Sequence, residues 1–333
     1  MPLDKISIEI IGAESLGVRS MCCLVKTPDD AFLLDPGCAL GPRKGHEIPH
    51  PAEYKKLNQI TESILAKAKD CKTLFISHFH HDHFKPRLID ETYIHSSPQI
   101  IKGLYTGKII YLKSQKQHIG QNQRSRGKYF KQSVSKLVMG LHDADFQRFT
   151  FGETIVDFSY PVPHGEGGTK LGHIIMARFT HGNEHFVYAP DVQGPVVQET
   201  MKFILDTNVD AIFLGGPPFY LKTSLANFPF DVAEQFVVKL HERIPLVVID
   251  HHCCRDREQY NDFIQTIHDR ANLDGMASDH VITCAADFMG EQPAFLESSR
   301  AELFEQEPPS KDFKTWMELA AVERNKTPPP LET

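Results

Sequence analysis

Long apolar runs are scarce in this chain. Among its 333 residues no window approaches the roughly 20 apolar residues that a bilayer-spanning helix needs. The start, MPLDKISIEIIG, lacks a basic region followed by an apolar stretch, so no secretion signal is expected. Cysteine is sparse: seven residues, an odd number, with two adjacent pairs, Cys22-Cys23 and Cys253-Cys254. That excludes a disulfide framework and fits buried, inert thiols in a reducing cytoplasm. Positive charge is in deficit, 36 Lys and Arg against 43 Asp and Glu, so the chain as a whole is no nucleic-acid magnet. No solenoid-length repeat and no P-loop occur.

What is present is globular in character. The 41% apolar and 24% charged content can build a sizeable core. Strands are expected at 6–11, 18–26 and 31–34, with Asp29-Asp30 as a hairpin turn. Residues 51–69 carry Leu57, Ile60, Ile64, Leu65 and Ala68 at helical spacing. Further strands are expected at 146–151 and 154–160, and a hairpin at 173–179 with 185–189. In the second half, helices at 195–205, 226–243 and 255–271 alternate with strands at 211–214, 246–249 and 281–284. This alternation is that of a layered αβ architecture. After residue 290 the chain turns Pro- and Glu-rich. One helix is expected there around 311–322, bearing the only tryptophan, Trp316, before a disordered tail at 325–333.

The sharpest feature is KTLFISHFHHDHF, residues 72–84. A short apolar strand, Leu74-Phe75-Ile76, breaks into His78-x-His80-x-Asp82-His83. The motif's three imidazoles and carboxylate, set within six residues, would repel when protonated and resist satisfaction when buried. A divalent ion resolves the conflict, since imidazole and carboxylate suit zinc, iron or manganese. His78 and His80 at i and i+2 can grip one ion, while Asp82 and His83 reach a second.

HxHxDH after an apolar strand resembles the signature of the metallo-β-lactamase superfamily. Asp35 in Phe32-Leu-Leu-Asp-Pro-Gly37, His164 in PVPHGEGGTKLGH, Asp191 in APDVQGP and His251-His252 in DHHCCRD follow the order of its later motifs. These segments, with LGGPPFY, are similar to a largely archaeal subfamily of metallo-hydrolases. The resemblance covers roughly residues 5 to 290. It implies an α/β (α+β) fold, the four-layer αββα sandwich, with two mixed sheets back to back and helices outside. It implies one domain over 1–290 with a basic insertion at about 92–142, then a helical extension and tail at 291–333. It also implies a two-metal hydrolase: His78, His80 and His164 on one ion, Asp82, His83 and His251 on the other, Asp191 bridging. Zinc is the first expectation, with iron or manganese tolerated. Asp82 would orient the attacking water, which loses a proton near neutral pH between two such ions. His252 is expected to support the ligands from behind or to act as the leaving-group acid, and Asp35 as a support behind the site or a turn residue.

The segment 92–142 contains no Asp or Glu and nine positive charges, with Tyr105, Tyr111, Tyr129 and Phe130 interleaved. Such a patch at a dinuclear site suggests an anionic substrate, with Arg124 and Arg126 facing it. A solvated helix face is the competing expectation. His46 and His50 stand as pocket-mouth candidates or plain loop histidines, and His173 and His181 as structural ones. The first expectation for function is hydrolysis of a small anionic ester, lactone or phosphodiester. The alternatives are a ribonuclease on the same fold, for which no exosite module is evident, and a non-catalytic metal or ligand sensor.

Overall fold

The computed structural model describes residues 3–225, 227–273 and 279–331. Strands β1 (Ser7–Ile10), β2 (Cys23–Lys26) and β3 (Ala31–Leu34) form an antiparallel meander, with Lys26 opposite Ala31 across the Asp29-Asp30 turn. The strand expected over 18–26 is laddered only over its last four residues, because Arg19 bridges to Ala39 instead. Helix α1 (Pro51–Asp70) begins with a capping box: the His50 ring accepts from Ala52 N–H, and the Glu53 carboxylate accepts from His50 N–H. His50 Nε2 lies 2.8 Å from Glu307 O, and the His46 ring stacks on Phe304. Neither histidine lines the large cavity described below, so both are structural.

Strand β4 (Thr73–Ile76) then pairs parallel with β3. After α2 (Pro98–Tyr105) comes β5 (Ile109–Leu112), and after α3 (Gln121–Val134) comes β6 (Gly140–Asp143). Both strands continue the sheet in parallel, giving the order β1-β2-β3-β4-β5-β6. The basic segment 92–142 is therefore woven into this sheet rather than appended to it. Its apolar residues Ile110 and Leu112 have a core face to join, and burial of each such side chain is worth about 1.5–3 kcal/mol.

The second sheet repeats the plan. Antiparallel β7 (Arg148–Phe151), β8 (Thr154–Phe158), β11 (Ala177–His181) and β12 (Glu184–Ala189) give way to parallel β13 (Ala211–Gly215), β14 (Leu246–Asp250) and β15 (Val281–Thr283). A small ribbon of β9 (Val162–Pro163) and β10 (His173–Ile174) lies apart. Helices α4 (Gln198–Leu205), α5 (Phe230–Arg243) and α6 (Arg257–Leu273) connect the parallel strands. Of the helix expected at 226–243, residue 226 lies outside the described residues.

Period-2 alternation sorts the core into layers. On β2 to β4, Cys23, Val25, Phe32, Leu34 and Phe75 face the second sheet, meeting Phe158, Phe179 and Tyr188. Leu24, Leu33, Leu74 and Ile76 face the other way, onto Leu57, Ile60 and Ile64 of α1. This is the expected αββα sandwich. Beyond it, α7 (Ala285–Phe288), α8 (Arg300–Gln306), α9 (Lys311–Met317) and α10 (Ala321–Arg324) run back over the first half. Buried Arg300 ties this extension down through Glu53 at 2.8 Å and the carbonyls of Gly41 and His46. The tail expected to be disordered is held as far as residue 331: Thr92 Oγ1 donates to Asn325, and Trp316 donates to Thr327 O. Residues 332 and 333 lie outside the described residues. Among the described residues no helix is long and apolar enough to cross a membrane.

Candidate metal centre

The parallel strands of both sheets end on one rim, where open αβ sheets place their ligands. His78 follows β4, Asp191 follows β12, His251 follows β14 and His164 follows β9. Their side chains converge. Asp191 Oδ2 lies 2.7 Å from His164 Nε2, 3.0 Å from His78 Nε2 and 3.9 Å from His80 Nδ1. The other oxygen, Oδ1, lies 3.1 Å from His251 Nε2 and 3.8 Å from His252 Nε2. Asp82 lies 3.6 Å from His251 Nε2 and 4.0 Å from His83 Nε2. Four donor groups result, linked by shared residues: His78, His80, His164, Asp191; Asp35, His78, His83; Asp82, His83, His251; and Asp191, His251, His252.

The backbone is bent to achieve this. Asp35, Asp191 and His251 all adopt positive φ, at 41°, 48° and 67°, a region non-glycine residues seldom occupy. Below the HxHxDH loop, a Cβ on Gly37 would stand 2.2 Å from Phe84 N, so only glycine lets the Asp35-Pro-Gly turn pack there.

A second layer fixes the imidazoles. Asp35 Oδ2 lies 2.8 Å from His83 Nδ1 and also accepts from Ser77 Oγ and Tyr188 OH. Asp35 thus sits behind the site. Glu14 Oε2 lies 3.1 Å from His251 Nδ1, and its other oxygen accepts from Arg255 Nε at 2.8 Å. Such acceptors set which ring nitrogen faces an ion. Sequence reasoning passed over Glu14, Tyr188 and Arg255. Only Arg255 carried a signal, as the fifth residue after the Asp250 that ends β14 and begins DHHCCRD.

Whether these residues fit divalent ions is tested by what they leave unsatisfied. Buried His83 Nε2, Asp191 Oδ1 and both nitrogens of His164 and His252 make no hydrogen bond of good geometry among the described residues, although some of these atoms stand close, as His164 Nε2 does to Asp191 Oδ2. Buried polar atoms are rarely left so. Charge gives the same answer. Burial would raise Asp191, yet His83, His251, His164 and His78 hold it well below the usual carboxylate range. Asp82 is depressed likewise, against its burial, by His83, His251 and Arg255. Burial pushes His78 and His252 well down, but Asp191 and Asp35 overcome it at His83 and raise that ring well above its ordinary value. Carboxylates that draw protons onto neighbouring imidazoles have a divalent cation as their natural substitute. Nitrogen and oxygen donors in this proportion suit zinc, iron or manganese.

The centre opens on a cavity of about 930 Å³. His80, Asp82, His164, Asp191 and His252 reach its floor, and His81 lines it too. Of the two arginines expected at substrate, Arg126 lines the cavity; Arg124 is exposed and does not. The nine charges of 92–142 are not one patch. Lys113 and Lys108 are buried on carbonyls, the former also on Asp145, while Lys116 and Lys131 pair with Asp143.

No protein-family model matches the chain. Among curated proteins, the UPF0282 protein of Methanopyrus kandleri is 36% identical over 296 residues, spanning 88% of this chain and 97% of that one. The UPF0282 protein of Pyrococcus furiosus is 34% identical over 296 residues, spanning 89% and 91%. Among solved structures, unliganded yeast PDE1 superposes with a TM-score of 0.50 at 12% identity, over 85% of this chain and 98% of that one. A variant of CmlA β-hydroxylase gives 0.50 at 12%, over 85% and 52%. The metallo-β-lactamase fold protein YhfI from Bacillus subtilis gives 0.47 at 13%, over 87% and 99%. At such identities these likenesses show the fold alone. With about a third of its residues shared along nearly the whole length of its archaeal relatives, the chain belongs to the UPF0282 family and has the metallo-β-lactamase fold.

Proposed function

We propose that this protein is a metal-dependent hydrolase that cleaves an ester-type bond in a small anionic substrate. One observation carries the reading: donors from positions 78 to 251 meet around Asp191 with buried nitrogens left unclaimed. The fold alone does not decide it, since the similar structures include one named a β-hydroxylase. In this reading His78, His80 and His164 hold one ion, Asp82, His83 and His251 the other, and Asp191 both. Bound there, a divalent pair supplies a water that loses its proton near neutral pH and Lewis acidity toward the substrate oxygen. Asp82, ionised and facing the cavity, accepts a hydrogen bond from the attacking water and aims it. His252 faces the same space with both ring nitrogens unclaimed, placed to pass a proton to the leaving group. Glu14 and Asp35 hold the outer nitrogens of His251 and His83, so the inner nitrogens stay turned toward the centre.

The dispersal of the basic segment favours a small substrate over RNA, because four of its nine charges are engaged within the fold. The test is elemental analysis of the purified protein together with a panel of phosphodiesters, lactones, thioesters and short RNAs. The expected result is about two equivalents of zinc, iron or manganese and turnover of a small ester that a chelator stops. Protein that binds no divalent metal would sink the proposal.

A further inference from the structure

Three guanidiniums line the cavity, and two are matched. Arg19 meets Glu297 at 2.6 Å, and Arg255 meets Glu14 at 2.8 Å. The third, Arg126, makes no salt bridge among the described residues; it hydrogen-bonds Phe79 O at 3.4 Å, and the Asp82 carboxylate offsets only part of what burial takes from its charge. It is half-buried, and a half-buried charge without a partner is costly unless a ligand meets it.

The fold is built to bring it there. Gly127, its neighbour, sits inside α3, where glycine is disfavoured relative to alanine. A Cβ at that position would stand 2.6 Å from the Phe79 ring, inside the HxHxDH loop. The missing side chain lets α3 approach that loop closely and sets Arg126 at the cavity wall. The helix is pinned at its N-terminal end too: Gln123 Nε2 donates to Leu171 O at 2.7 Å, and Gly120 lies against Gly172.

Another part of the lining is of different chemistry. Leu221, Leu225 and Phe228, from the loop between β13 and α5, join Leu88 and Ile94 as an apolar surface within the same cavity. One space thus offers an unmatched guanidinium, an apolar surface and the donors around Asp191.

Resting on the hydrolase reading, we infer that the substrate is an oxyanion ester bearing an apolar group: Arg126 holds the anionic part, and Leu221, Leu225 and Phe228 take the apolar part. A guanidinium fork suits phosphate or carboxylate oxygens in pairs. The two sources share that chemistry, and the experiment tells them apart.

Metal-loaded protein is titrated calorimetrically with methylphosphonate, phenylphosphonate and benzoate, which are not turned over. Phenylphosphonate should bind wild type about tenfold more tightly than methylphosphonate, a difference of about 1.4 kcal/mol. Arg126→Gln should weaken both phosphonates about tenfold at unchanged metal content, and Arg126→Lys should recover part of the loss. Leu225→Asn should reduce only the phenyl preference. Benzoate that outcompetes phenylphosphonate, with the same dependence on Arg126, assigns the anion as a carboxylate; the reverse assigns it as a phosphate. Equal binding of the two phosphonates to wild type, or unchanged binding by Arg126→Gln with its metal content intact, overturns the inference. Turnover of a small ester with either of those results refutes this inference alone. The expected binding pattern with no turnover of any ester refutes the hydrolase reading instead.

Discussion

Two groups of histidines sit at opposite ends of the same parallel strands. One surrounds Asp191, beyond the C-terminal end of β14. The other, His241, His268 and His280, lies where α5 hands over to β14 and where β15 begins. Both contain a buried ring nitrogen without a partner, Nδ1 of His241 in the second case. The second group stays open, with rings 6.0 and 6.3 Å apart and no donor set converging among the described residues. Burial, then His268 and His280, push His241 down to about 4. The first group packs its rings as close as 4.2 Å around a central carboxylate. The lesson is that imidazole count alone does not assemble a candidate metal-donor set. A carboxylate placed among the rings, and a second layer that orients them, do.

The largest test of that contrast is a pair of double substitutions. His78→Ala with His80→Ala should abolish bound metal and lower hydrolysis more than a hundredfold, about the upper end of what outer-layer changes cause. His241→Ala with His268→Ala should leave metal content unchanged. Equal metal loss in the two proteins would erase the distinction. Next in size is Asp35→Asn, which spoils the acceptor behind His83 while leaving every proposed ligand in place. Metal affinity should fall about 10–100-fold by competition with a chromophoric chelator.

A smaller effect separates the groups by pH. His241 titrates near 4 when folded against about 6.5 when unfolded, so the unfolded chain binds the extra proton first. Stability from this group is full above about pH 6.5 and is lost as pH falls toward 4. Relative to wild type, His241→Leu should lessen the loss between pH 7 and 5 by on the order of 1 kcal/mol, about 2 °C in Tm. Parallel melting curves for the two proteins would show that the ring is not buried neutral. Smallest of all, Arg124→Ala should change phenylphosphonate affinity by less than about twofold, because an exposed charge outside the cavity is screened.

Much of the fold was legible because the strands carry it locally. Residues 31–34 and the helix from Pro51 were visible from alternation and helical spacing, and the structure sets them within a residue of the expected bounds. Four donors of the centre, at 78, 80, 82 and 83, stand within six residues and announce themselves. What stayed hidden depends on distant packing. Glu14 reaches His251 across 237 residues, and Tyr188 reaches Asp35 across 153. His50 looked like a loop histidine because nothing local shows that the extension after 290 returns to cover it. The charges of 92–142 looked like one patch because their partners Asp143 and Asp145 fall just beyond the acid-free stretch.

By itself the sequence determined the layered strand-and-helix plan and the donor types of the candidate site, since apolar periodicity and side-chain chemistry are written residue by residue. Tertiary structure alone decided which arginine stands unpaired at the centre, which histidines close around a carboxylate and which remain apart. The physical reason is that charge pairing and donor convergence act through space over a few ångströms. Separation along the chain carries little information about such distances.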